Sequence, residues 1–185
     1  RKSIAGLLRA DSREIIFTSG GTESDNLAIK GIAYAGQGKG RHIVISSVEH
    51  PAVLNCCQCL TQEGYEVAYL PVNREGLVDP DSVKTALKKE TVLVSIMLAN
   101  NEVGTLQPVK EIGEITRERG VPLHTDAIQA FGKVPVRVDE LNVDLLSVSG
   151  HKIYGPKGVG ALYIRKKTPM VPLMYGGHHE MGYRP

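Results

Sequence analysis

The chain has 185 residues, 42% of them apolar and 23% charged, the balance of one globular domain long enough to bury a core. Lysine and arginine (22) nearly offset aspartate and glutamate (20), and a net charge of +2 without single-sign blocks argues against nucleic acid or an anionic membrane as partner. No apolar run approaches the roughly 18–20 residues of a membrane span, no signal peptide is visible, and three cysteines crowded into positions 56–59 favour a reducing compartment, the cytoplasm or in a eukaryote the mitochondrion, over a disulfide framework.

The first residues read as helix, so the chain looks truncated at the front. Residues 15–17 form a short apolar strand that runs into a Gly-rich turn, and a helix follows from about residue 23 to 34. Residues 42–46 are the next strand. His50-Pro51 opens a helix, because proline suits a first helical turn. Residues 66–70 are a strand, and Asp79-Pro80 caps and starts another helix. Residues 91–98 are β-rich and apolar throughout, as in a strand covered on both faces. Pro108 opens a helix that stops near Arg119-Gly120, a cation followed by glycine. Strands at 121–125, 143–148 and 159–164 close the series, and the Gly-rich tail from Met174 to Pro185 reads as an unfinished loop. Alternating strands and helices joined by short turns predict an α/β fold with a mostly parallel sheet. Such sheets gather ligands beyond the carboxyl ends of their strands, where Thr18, Ser46, Ala99, Asp126 and Ser149 fall.

Three features there point to one chemistry. Lys152, in Ser149-Gly150-His151-Lys152, follows an apolar strand and precedes a tight turn at Ile153-Tyr154-Gly155-Pro156. At a dry inner sheet edge its amine has a lowered pKa and serves as nucleophile and base. Asp126 closes another strand; it serves either as a cap for the following turn or as a carboxylate for a ring nitrogen. Thr18 to Ser24 pairs two glycines with hydroxyl donors at a helix start, a phosphate cradle or only a flexible turn. A reactive lysine, a carboxylate and a helix terminus are what a protein supplies to pyridoxal 5'-phosphate (PLP). His50 sits where it can stack on such a ring and move protons. Gln129, three residues after Asp126, shares its face on a helical turn and reaches the ring's oxygen. Asn101 either contacts that oxygen or, with Asn100, shapes a turn. Cys56, Cys57 and Cys59 lack a second pair at zinc spacing and read as small buried hydrophobes, and His178-His179 reads as loop; no metal is expected.

Phe17 to Lys30 (FTSGGTESDNLAIK), Glu49-His50, Asn100 to Gly104 (NNEVG), His124 to Gln129 (HTDAIQ) and Ser149 to Tyr163 (SGHKIYGPKGVGALY) together resemble the class V aminotransferases of PLP fold-type I, and within them the cysteine desulfurases of the NifS/IscS type. The resemblance implies a three-layer α/β/α large domain over residues 1–185, incomplete at both ends, with a small C-terminal domain absent. It implies that Lys152 carries PLP as a Schiff base and that Asp126 pairs with the ring nitrogen. Gln129 and Asn101 would contact the ring's oxygen side, Gly21, Thr22, Ser149 and His151 the phosphate, and His50 the ring face. The implied activity converts L-cysteine to L-alanine and passes sulfur, through a persulfide on a loop this chain lacks, to an acceptor such as an iron–sulfur scaffold. A homodimer is implied, with the fragment alone inactive. Selenocysteine lyase and other class V aminotransferases resemble the same motifs, and a cofactor-free scaffold or sulfur-relay domain is the non-enzyme alternative.

Overall fold

The computed structural model describes residues 1–185. Its elements follow in chain order: α1 (Lys2–Leu8), β1 (Ile15–Thr18), α2 (Gly21–Ala35), β2 (His42–Ser46), α3 (Pro51–Gln62), β3 (Glu66–Leu70), α4 (Pro80–Ala86), β4 (Thr91–Ser95), α5 (Val109–Glu118), β5 (Leu123–Asp126), β6 (Leu145–Ser149) and β7 (Gly160–Ile164). Short 3-10 turns occupy Ser12–Glu14, Gly150–Ile153 and Glu180–Gly182.

The seven strands form one sheet in the order β1-β7-β6-β5-β4-β2-β3. The pairings from β6 through β5, β4 and β2 to β3 are parallel. β7 runs antiparallel to both neighbours, β1 and β6, so β1 again points the same way as the central strands. Period-2 alternation divides the core. Ile15, Val44, Val94, Leu146 and Tyr163 face a layer holding Ala5 and Leu8 of α1, Val83 of α4 and Ile112 of α5. Their strand neighbours Ile16, Ile43, Ile45, Leu93, Leu145 and Leu162 face the other layer, with Leu27, Ile29 and Ile32 of α2 and Val53, Cys57 and Leu60 of α3. The fold is therefore the expected α/β/α, with β2, β4 and β6 apolar at most positions and buried on both faces.

The expected elements are all present, with shifted ends. α2 begins at Gly21, two residues before the expected start, because Gly20 already stands at the N-cap. Regular pairing of β4 ends at Ser95 rather than residue 98. The Ile96 and Leu98 N–H groups still donate to the His124 and Asp126 carbonyls at 3.1 and 2.9 Å, so the chain stays aligned along β5. Asp79 caps α4 by accepting from the Asp81 N–H at 3.0 Å. The tail is held more firmly than a loose loop. The Phe17 N–H donates to Glu180 Oε2 at 2.7 Å, Arg1 pairs with Glu180 Oε1 at 2.7 Å, and Met170, Leu173 and Tyr183 pack on the α2–α3 side of the core. Cys56 and Cys57 are buried as expected, whereas Cys59 is half-buried and accepts from Lys30 Nζ at 3.2 Å, because it projects toward the polar seam between α2 and α3.

Gly160 opens β7 directly against the β1–α2 turn. A methyl group there would fall 2.7 Å from the Gly20 Cα and carbonyl carbon and 2.8 Å from the Val148 oxygen, all backbone atoms that a rotamer change cannot move. Gly160→Ala is expected to lower stability by about 1–3 kcal/mol, read as a lower urea midpoint at unchanged slope; an unchanged midpoint would show that the turn yields freely.

Candidate active site

Thr18, Ser46, Asp126 and Ser149 are the last residues of β1, β2, β5 and β6, and Ala99 lies just past β4. The parallel run of these strands brings their carboxyl ends to one rim of the sheet, where a cavity of about 370 Å³ opens. It is lined by Gly21, Thr22, His50, Met97, Asn101, Asp126, Ile128, Gln129, Ser149, His151 and Lys152. All nine residues singled out in the sequence for cofactor chemistry are in that lining; Met97 and Ile128 are the two additions. The volume lies within the roughly 300–1,000 Å³ of small-molecule sites.

One wall is the start of α2. Gly20 offers no side-chain cap, so the first-turn N–H groups of a 15-residue helix are uncapped at the cavity end, an arrangement suited to an anion. Close approach depends on Gly21: a methyl there would lie 2.1 Å from Ile128 Cδ1 and 3.6 Å from Ser149 Cβ, inside the lining. Glu23, in the same turn, is turned aside by accepting from the Ser19 N–H at 2.7 Å and pairing with Arg184. Beside it, the Ser149 hydroxyl and His151 Nδ1 lie 2.8 Å apart, fixing the imidazole at the end of β6.

His50 is the N-cap of α3, with Nδ1 accepting from the Ala52 N–H at 3.1 Å. The two asparagines divide their roles. Buried Asn100 shapes the turn, its Oδ1 accepting from the Glu102 and Val103 N–H groups at 2.9 and 3.0 Å and its amide donating to the Val48 carbonyl at 3.1 Å. Asn101 is exposed and faces the cavity lining. Asp126 does both things expected of it: Oδ1 accepts from the Ile128 N–H at 2.9 Å, capping the turn, while the residue lines the cavity. Gln129 follows on a single turn closed by the Phe131 N–H and the Ala127 carbonyl at 2.8 Å. Lys152 departs from expectation in one respect. It lines the cavity, yet it is exposed on the 3-10 turn Gly150–Ile153, because that turn projects beyond the sheet; the dry surroundings expected of it are not built by this chain's own residues.

Behind the cavity lies a polar cluster that sequence reasoning missed. Burial pushes the Asp126 carboxyl up, against the Ile128 N–H and the nearby His50, which pull it down. Asp25 of α2 is fully buried and neither of its oxygens has a hydrogen-bond partner. Glu49 is also buried; Oε1 accepts from Ser46 Oγ at 2.6 Å and the Met97 N–H at 2.8 Å, Oε2 from nothing, and burial raises its pKa to about 8. His124 is enclosed between Ser95 Oγ at 2.8 Å and Ser147 Oγ at 3.0 Å, and burial lowers its pKa to about 3, so it stays neutral. The available signal was Asp25 on the apolar side of α2, two residues before Leu27.

The donor set fits PLP: an uncapped helix start for phosphate, a buried carboxyl for the ring nitrogen, an imidazole and an amine at one mouth. The family model Aminotransferase class-V matches residues 1–183. The chain is 59% identical over 184 residues to the cysteine desulfurase IscS of Dictyoglomus turgidum, across 100% of this chain and 47% of that protein. It is 58% identical over 180 residues to the cysteine desulfurase IscS of Methanosarcina thermophila, across 97% of this chain and 45% of that protein. A solved structure described as SspA in complex with cysteine superposes with a TM-score of 0.96 at 46% identity, across 99% of this chain and 53% of that one. The chain spans about half the length of the curated relatives it matches.

Glu49 carries a testable sign. Its folded pKa of about 8 lies above the roughly 4.3 of an unfolded glutamate, so between those values the folded state binds more protons and stability falls as pH rises. Glu49→Gln keeps an acceptor for Ser46 and Met97 and removes the titration. Urea midpoints at about pH 5 and about pH 8 are expected to show the variant gaining on the wild type at the higher pH; a constant difference would mean that Glu49 is ionised in the fold.

Proposed function

Because this chain belongs to the class-V aminotransferase family, we propose that its cavity binds pyridoxal 5'-phosphate as the large domain of a cysteine desulfurase. The observation that carries the proposal is convergence: a lysine, a buried carboxyl, an imidazole and an uncapped helix start, drawn from four separate chain segments, line one cavity. Bound there, PLP supplies an electron sink for the pair released when a bond to the substrate α-carbon breaks.

The chain's residues have distinct tasks in this reading. Lys152 Nζ attaches the cofactor and later moves a proton at the substrate. Its exposure leaves the amine reachable by an incoming amino acid. Asp126 presents a carboxylate to the ring nitrogen and keeps that nitrogen protonated. The first-turn N–H groups at Gly21 and Thr22, with the Ser149 hydroxyl and His151, hold the phosphate. His50 covers one ring face; its Nδ1 is held by the Ala52 N–H, which leaves Nε2 for proton transfer. Asn101 and Gln129 orient the ring's oxygen side.

L-cysteine is the proposed substrate and L-alanine the product, supported by the names of the relatives and by the structural neighbour described with cysteine. A homodimer that passes sulfur to an acceptor protein, such as an iron–sulfur scaffold, and a cytoplasmic location belong to the same proposal. The test is reduction with borohydride of the intact protein loaded with PLP. Wild type is expected to yield a lysine–cofactor adduct at position 152. In Lys152→Ala that adduct disappears and alanine release from cysteine drops by at least the roughly 10²–10⁴-fold ascribed to general acid–base catalysis. An adduct that persists in Lys152→Ala would overturn the assignment.

A further inference from the structure

Asp25 is a buried acid that the proposed chemistry does not use. It is fully buried on α2 and neither carboxyl oxygen has a hydrogen-bond partner. One of its oxygens, one of Asp126 and one ring nitrogen of His50 all lie within 4.8 Å of one another. No lysine or arginine faces it. β5 presents Asp126 and a His124 whose Nε2 is 3.6 Å away but which burial keeps neutral. The segment after β2 presents Glu49 and His50, and α3 the buried Cys56 thiol. β6 presents the Ser147 hydroxyl, whose Oγ lies 3.0 Å from His124 Nε2 and which pulls the Asp25 pKa down. An ionised carboxylate so placed is heavily penalised, and two adjacent acids cannot both ionise without a cation between them. Burial first, then the Asp126 carboxyl and, behind the opposing Ser147 hydroxyl, the Glu49 carboxyl, drives Asp25 toward its neutral form.

A neutral Asp25 carries a proton, and a carboxyl oxygen of Asp126 lies within 4.8 Å to share it. We propose that Asp25 is a positioning residue that acts through Asp126, holding the proton of a buried acid pair so that Asp126 meets the cofactor's ring nitrogen as the carboxylate. This rests on the PLP reading for the ring, but not for the proton. No bond is made or broken and the proton remains on the pair. The pair carries one negative charge, and Asp25 keeps that charge on the member lining the cavity.

The test has two arms on the intact protein. In the cofactor-free protein at neutral pH, infrared spectra are expected to show a protonated-carboxyl band that Asp25→Asn removes and Glu49→Gln, which removes only its own band, leaves in place. A spectrum unchanged by Asp25→Asn overturns the proposal whether or not PLP binds. In the second arm, PLP affinity is measured by titration. Asp25→Leu, which cannot donate, is expected to weaken it about tenfold or more, the scale of a lost hydrogen bond to a charged group, while Asp25→Asn restores most of the loss. Equal weakening in both variants overturns the donor role. Should Asp25→Leu not fold, Asp25→Ala takes its place. A wild type that fails to bind PLP would defeat the cofactor reading alone, with the infrared arm still deciding whether Asp25 holds a proton.

Discussion

The carboxyl of Asp126 sits 4% exposed at the end of β5, and no lysine or arginine is among the groups that set its charge. Water solvates an exposed carboxylate, whereas a buried one needs hydrogen bonds, a cation or a proton. The chain supplies one backbone N–H at 2.9 Å and two further acids behind it. No lysine or arginine is bonded to it. In the proposed reading a protonated ring nitrogen would supply the partner charge, so the strongest demand for a cofactor comes from the electrostatics of the buried carboxyl rather than from the exposed amine.

The sheet exists in the form that this demand requires. β5 lies at the centre, between β4 and β6, so its last residue is buried from both sides. Parallel neighbours deliver Ser46 and Ser149 to the same rim, and the antiparallel insertion of β7 returns β1 to the common direction, which places Thr18 and the start of α2 there as well. Glycine at 160 lets the β1–α2 turn lie against β7, and glycine at 21 leaves room for Ile128 beside the start of α2. A helix N-terminus and a buried acid are thereby set in the lining of one cavity, as the proposed reading of an anion and a ring nitrogen on the same small molecule requires.

Much of this was legible in the sequence because it is local. Apolar strands ending in Thr18, Asp126 and Ser149, a proline after His50 and a glycine pair before a helix are all short-range patterns, and each element appeared within a few residues of its expected place. The cavity lining was legible for a related reason: in a parallel sheet, residues just past strand ends meet. Burial across the layers was not legible. Asp25, Glu49 and His124 come from α2, the segment after β2 and β5, and only the fold shows that they share one unsolvated space. Lys152 failed in the opposite direction; an apolar strand before it suggested a dry site, but the 3-10 turn carries it outward. Cys59 likewise followed helix periodicity on paper and met Lys30 in the fold.

The central claim is that Asp126 meets a protonated ring nitrogen. Nitrogen-15 NMR of the intact protein loaded with PLP labelled at the ring nitrogen reads that proton directly. The account predicts a pyridinium signal in the wild type that gives way to a neutral pyridine signal in Asp126→Asn. A neutral ring nitrogen in the wild type, or a pyridinium unaffected by the substitution, would contradict it.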